Sequence, residues 1–79
     1  MTDKADITID ARGLICPLPV LRARKGLVGL APGTLVAVLA DDAMARIDLP
    51  HFCAEAGHLH LSLVEEAGHQ RHLIRRGPD

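Results

Sequence analysis

The run Thr34-Leu35-Val36-Ala37-Val38-Leu39-Ala40 is apolar at nearly every position. Such a run marks a central strand with little water on either face. A strand of that kind needs sheet neighbours and a covering layer. The 79-residue chain is long enough for one modest core and one domain.

The flanking segments supply neighbours and cover. Ile7-Thr8-Ile9-Asp10 alternates apolar and polar residues and reads as a strand. Asp10-Ala11-Arg12-Gly13 breaks it, with Gly13 free to take a positive φ. From Pro17 the spacing turns helical: Val20, Ala23, Leu27 and Leu30 share a stripe, and Arg22, Lys25 and Gly29 fall opposite. Arg22, Arg24 and Lys25 fall within about two turns of the helix start, where cations oppose the dipole and weaken the helix. Gly29 to Gly33 supplies a stop and turn.

Beyond the central run, Asp41-Asp42 ends the strand and offers an N-cap for a helix over Ala43 to Ala56. Pro50 predicts a bend or restart there, with Asp48 as a second cap. Ile47, Phe52 and Ala56 are expected to face the sheet, and Gly57 to end the helix. In the next segment, Leu59, Leu61 and Leu63 alternate with His58, His60 and Ser62. A turn at Glu66 to His69 precedes a short strand over 71–76, the antiparallel partner of the one before.

The predicted fold is α+β, a two-layer α/β sandwich in βαβαββ order. Its mixed four-stranded sheet carries both helices on one face. The other face is partly open, with His58 and His60 on it. Residues 1–5 and 77–79 read as loose ends of one domain.

Phe52 is the only aromatic residue and the formal net charge is −1, so no global field points to nucleic acid or an anionic membrane. The polar N-terminus lacks the apolar run of a signal peptide. Leu35 to Ala40 is far too short to span a bilayer. The two cysteines, Cys16 and Cys53, are therefore expected as free thiols in a reducing, cytoplasmic setting. Cys53, beside Phe52, reads as core.

Chemistry concentrates in Gly13-Leu14-Ile15-Cys16-Pro17-Leu18-Pro19-Val20. Cys16 is predicted as the helix N-cap, with its sulfur at the positive end of the dipole and the thiolate favoured. Pro17 and Pro19 suit a first turn and remove amide donors there, leaving the Leu18 amide as the nearest partner for the sulfur. The plainer reading is a small buried hydrophobe before a helix. His58 and His60, with His72 across the hairpin, have strand spacing compatible with a metal. Solvated histidines are the commoner outcome, and no Cys-x-x-Cys or His-Glu-x-x-His supports a site, so none is expected. No glycine-rich phosphate loop is present, and no aromatics are interleaved with the cations to stack bases.

The motif Asp10-Ala11-Arg12-Gly13-Leu14-Ile15-Cys16-Pro17-Leu18-Pro19 resembles the signature of the TusA family, the SirA-like sulfur carriers. The likeness continues through Arg24-Lys25, Leu30-Ala31-Pro32-Gly33, Ala40-Asp41-Asp42, Asp48-Leu49-Pro50-His51-Phe52-Cys53, Gly57-His58 and Leu73-Ile74-Arg75-Arg76-Gly77. Ala43 departs from it, since members commonly carry proline there. The resemblance implies a carrier that takes sulfane sulfur from a cysteine desulfurase or rhodanese as a persulfide on Cys16. It would pass that sulfur to a relay acceptor serving tRNA thiolation, molybdenum-cofactor synthesis or sulfur oxidation.

On this reading Gly13, Pro17 and Pro19 shape the motif, and Arg22, Arg24 and Lys25 form a basic rim for an acidic partner. No cofactor is implied beyond the transient persulfide sulfur. The chain would be a monomeric sulfurtransferase-type carrier rather than an independent catalyst, with no direct contact to nucleic acid or membrane. The alternatives are a regulatory module of the same fold that does not use the cysteine, and a small metal-binding protein.

Overall fold

A computed structural model describes residues 5–78. Its elements are β1 (Ile7–Asp10), α1 (Leu18–Leu27), β2 (Leu35–Ala40), α2 (Ala45–Ala56), β3 (Leu59–Glu66) and β4 (His69–Arg75). The strands form one mixed sheet in the order β1-β2-β4-β3. β1 runs parallel to β2, as the intervening α1 crossover allows, and β4 is antiparallel to both β2 and β3. β2 is thus flanked on both edges, as its apolar run requires.

Both helices cover one face of the sheet. Val36, Val38 and Ala40 of β2 meet Ile74 of β4, Ala23 and Leu27 of α1, and Leu49 and Phe52 of α2 in a single core. α1 lies close to β1 because Gly26 has no side chain: a Cβ there would run into Ile9. Gly57 closes α2 in the left-handed conformation at φ 85°.

Several expectations change. α1 ends at Leu27, so Arg24 and Lys25 occupy its last turn, where the dipole favours cations rather than opposing them. α2 begins at Ala45 and runs unbroken through Pro50, with Met44 at its cap and no side-chain cap bond. Asp41, Asp42 and Asp48 therefore do not cap it. Ile47 and Ala56 point to solvent, and of the residues expected to face the sheet only Phe52 is buried.

The strict alternation predicted for β3 fails because of a bulge between His60 and Ser62. His60 pairs with the core residue Ile74, which puts it on the helix side. Leu59 and Leu61 are instead exposed, at 57% and 43%. Of the expected loose ends, residues 1–4 and Asp79 lie outside the described residues. Gly77 is not loose: it is buried, and its amide donates to His58 Nδ1 at 2.9 Å. Among the described residues no helix is long and apolar enough to cross a membrane.

Candidate functional site

The Cys16 loop is built where parallel strands β1 and β2 end side by side. Asp10 closes the first strand by accepting from the Arg12 backbone amide and from its guanidinium at Nε and Nη2, at 2.9–3.0 Å. That guanidinium holds the Asp10 carboxyl down at about 2. Gly13 then turns the chain at φ 82°, a conformation that side chains resist. Its amide donates to both carboxylate oxygens of Asp41, at 3.1 and 3.0 Å. The Cys16 amide donates to Asp42 Oδ2 at 2.9 Å. The paired aspartates after β2 thus hold the motif loop from the end of the neighbouring strand.

Cys16 sits one residue ahead of the helix cap, a position taken by Pro17, and the Cys16–Pro17 peptide is cis. Pro19 is buried beneath the first turn. The Leu18 amide donates to the Ile15 carbonyl at 2.8 Å, so it is not given to the sulfur as expected. The Cys16 side chain is exposed, and its Sγ donates to Asp48 Oδ2 at 3.1 Å from the first turn of α2.

This arrangement reverses the expected thiolate. The hydrogen bond to Asp48 comes first in raising the Cys16 pKa above that of an ordinary thiol; desolvation and the charges of Asp48 and Asp42 add to it. The dipole reading failed because Cys16 lies outside the helix and a carboxylate is in direct contact with its sulfur. Cys53 is a second free thiol, buried in the core and pushed up to about 11 by that burial.

A groove of about 590 Å³ opens beside Cys16 between α1 and α2. Val20, Leu27 and Phe52 give it apolar walls, and His58 and Arg76 also line it. Arg24 also lines it, with its guanidinium carbon 5.4 Å from the centre of the Phe52 ring. Of the three basic residues expected at a rim, Arg24 shares the groove with Cys16. Arg22 instead donates to the Asp10 carbonyl at 3.0 Å, and Lys25 is exposed outside the groove.

The histidines divide. His58 accepts from Gly77, whereas His60 Nε2 meets His72 Nδ1 at 2.8 Å. His72 Nε2 bonds Gln70 Oε1 at 2.7 Å, and Gln70 Nε2 donates to the Asp42 carbonyl at 2.8 Å. The carbonyl at the end of this chain fixes the orientation of the Gln70 amide. His72 then carries its proton on Nε2, and His60 donates to His72. Among the described residues, no three histidine, cysteine or carboxylate side chains converge as a metal would require.

The sequence reading missed Asp48 as a partner of the sulfur, and Asp41 and Asp42 as supports of the loop. Their signal was present, because Ala40-Asp41-Asp42 and Asp48 lie in the segments that resemble the family. Local capping chemistry gave them a nearer explanation.

Comparison with known proteins covers this whole frame. The family model described as Sulfurtransferase TusA matches residues 7–76. A sulfur carrier protein TusA of Pseudomonas aeruginosa is 42% identical over 79 residues, covering all of both chains. Its counterpart from Pseudomonas entomophila is 44% identical over 80 residues, again covering all of both. The crystal structure of a SirA-like protein from Desulfitobacterium hafniense superposes with a TM-score of 0.78 at 35% identity, over 91% of this chain and 99% of that one. The chain belongs to the TusA family of sulfurtransferases.

Proposed function

We propose that this protein is a sulfur carrier that holds sulfane sulfur as a persulfide on Cys16 and hands it to a partner protein. The observation that carries the reading is the contrast between the two thiols. Cys16 is exposed at the end of a groove, on a loop held by two aspartates, while Cys53 is sealed in the core. Cys16 sulfur attacks the terminal sulfur of a donor persulfide, the donor S–S bond breaks, and the donor leaves as a thiol. Delivery is the same exchange with the acceptor attacking the outer sulfur on Cys16. The sulfane sulfur moves without net oxidation, so no resident cofactor is needed.

A cysteine desulfurase or a rhodanese suits the donor role, and a relay protein with its own cysteine suits the acceptor. tRNA thiolation, molybdenum-cofactor synthesis and sulfur oxidation all consume sulfur supplied in this form, and the cytoplasm is the compartment that suits free thiols. Gly13, Pro17 and Pro19 shape the loop that presents the sulfur. Arg24 stands in the groove and Lys25 beside it on α1, a basic edge for an acidic partner. Arg22, tied to Asp10, supports that edge from behind.

Incubation with a cysteine desulfurase and cysteine should add one sulfur to the Cys16 peptide, read by mass spectrometry. A Cys16→Ser variant that still acquires the sulfur would overturn the assignment. Full cellular activity in that variant would favour a regulatory module instead.

A further inference from the structure

Asp48 is placed on the reacting atom. Its Oδ2 accepts the Cys16 Sγ–H hydrogen bond at 3.1 Å, and the side chain is half-buried in the first turn of α2. No local duty explains it, because α2 carries no side-chain cap bond and continues past Pro50. Other ionisable groups stand around the groove on the neighbouring elements. Asp42, after β2, holds the Cys16 amide; Arg24 of α1, His51 and Glu55 of α2, and His58 and Arg76 line the groove. His51 and Glu55 pair with each other, Nε2 to Oε2, at 3.6 Å. Asp48 is the carboxylate in hydrogen-bond contact with Sγ among the described residues.

We propose that Asp48 is a catalytic residue of the handover: it takes the Cys16 thiol proton as the sulfur attacks and returns it to the departing donor thiolate. This rests on the reading of Cys16 as the sulfur-carrying residue. A bond forms between Sγ and the terminal sulfur of R–S–SH while the R–S bond to that sulfur breaks. The electron pair leaves on the inner donor sulfur, and the proton follows through Asp48. The net change is R–S–SH plus Cys16–SH to R–SH plus Cys16–S–SH, with sulfur and protons balanced and no external oxidant. A carboxylate within hydrogen-bond reach of the proton it moves meets the geometric requirement for general acid–base catalysis.

The test uses inorganic polysulfide as donor, so that no partner surface is involved. It compares wild type, Asp48→Asn, Asp48→Glu and Cys16→Ser. In Asp48→Asn, Cys16 alkylation by iodoacetamide should shift to lower pH and be faster at pH 7. Polysulfide uptake at the same pH should slow by about tenfold or more. Asp48→Glu should restore both readouts toward wild type, and wild-type uptake should show a normal solvent isotope effect. The isotope effect also serves if Asp48→Asn fails to fold, and its absence would overturn the proposal. Uptake that rises in step with alkylation in Asp48→Asn, or two unchanged readouts, would overturn it as well. Sulfur uptake by Cys16→Ser would instead remove the carrier reading, whatever Asp48 does.

Discussion

Lowering the pH tests the His60–His72 pair, because both ring nitrogens of His72 are already engaged in the folded protein. His72 is fully buried; it donates through Nε2 to Gln70 and accepts at Nδ1 from His60. A proton added at Nδ1 would set two donors against each other at 2.8 Å. Burial, reinforced by the neighbouring His60, holds His72 at about 4 against 6.5 for a free imidazole; Glu65 pulls the other way and Arg46 pushes it further down. The unfolded chain therefore takes this proton near pH 6.5 and the folded chain only near 4. Stability from His72 is complete above pH 6.5 and falls as pH drops through that window, by up to about 3 kcal/mol in all.

That loss is large beside the roughly 5 kcal/mol expected of a small domain. His58 and His60, both lowered chiefly by burial, add in the same direction. The depressed carboxyls of Asp10 and Glu65, each held by an arginine, begin to contribute only at lower pH, below their ordinary carboxylate values. Urea midpoints at pH 7.5, 6.5, 5.5 and 4.5 measure the effect. His72→Gln provides a matched control, because an amide can donate to Gln70 and accept from His60 without titrating. The variant should be about 1 kcal/mol less stable at pH 7.5 but lose much less on acidification, so that the curves converge or cross. Parallel curves for the two proteins would refute the assignment of His72 as a buried neutral imidazole.

Leu49 has no solvent exposure and sits between α2 and the sheet, so Leu49→Ala should lower stability by about 2–5 kcal/mol. Urea denaturation should show this as a lower midpoint with an unchanged slope. Maleimide should label one thiol in the native protein, at Cys16, and a second, at Cys53, only after denaturant opens the core. Simultaneous native labelling of both would contradict the packing around Cys53.

What the sequence shows of this fold depends on how local each signal is. The apolar run that became β2 and the turn at Gly68 carry their geometry within a few residues. The Cys16-Pro17-Leu18-Pro19 motif is local too, but the polarity of its sulfur environment is not. Counting Cys16 as the cap placed the thiol one residue too close to the dipole, and the carboxylate that reverses the expected effect comes from a distant part of the chain. Asp48 comes 32 positions after Cys16 and two before a proline. Seen locally it looks like a cap; only the packing of α2 against α1 brings it to the sulfur. The β3 histidines show the same limit. A bulge inverts the side-chain phase beyond it, and no periodicity in Leu59 to Glu66 announces where it falls.

The three aspartates divide the work of the site by what they bind. Asp41 and Asp42 accept from backbone amides, which fixes where Cys16 stands without altering its sulfur directly through a hydrogen bond. Asp48 accepts from the sulfur itself, so it governs which protonation state is presented. The same line of contacts extends inward, because Asp42 also offers its carbonyl to Gln70 and, through it, to His72 and His60. A small exposed carrier meets many electrophiles, and a standing thiolate would react with them indiscriminately. A thiol restrained by a carboxylate is less reactive at rest and becomes nucleophilic when its proton is taken. Placing the restraint and the acceptor in one side chain ties reactivity to the exchange itself. That arrangement suits a protein whose sulfur has to wait between partners.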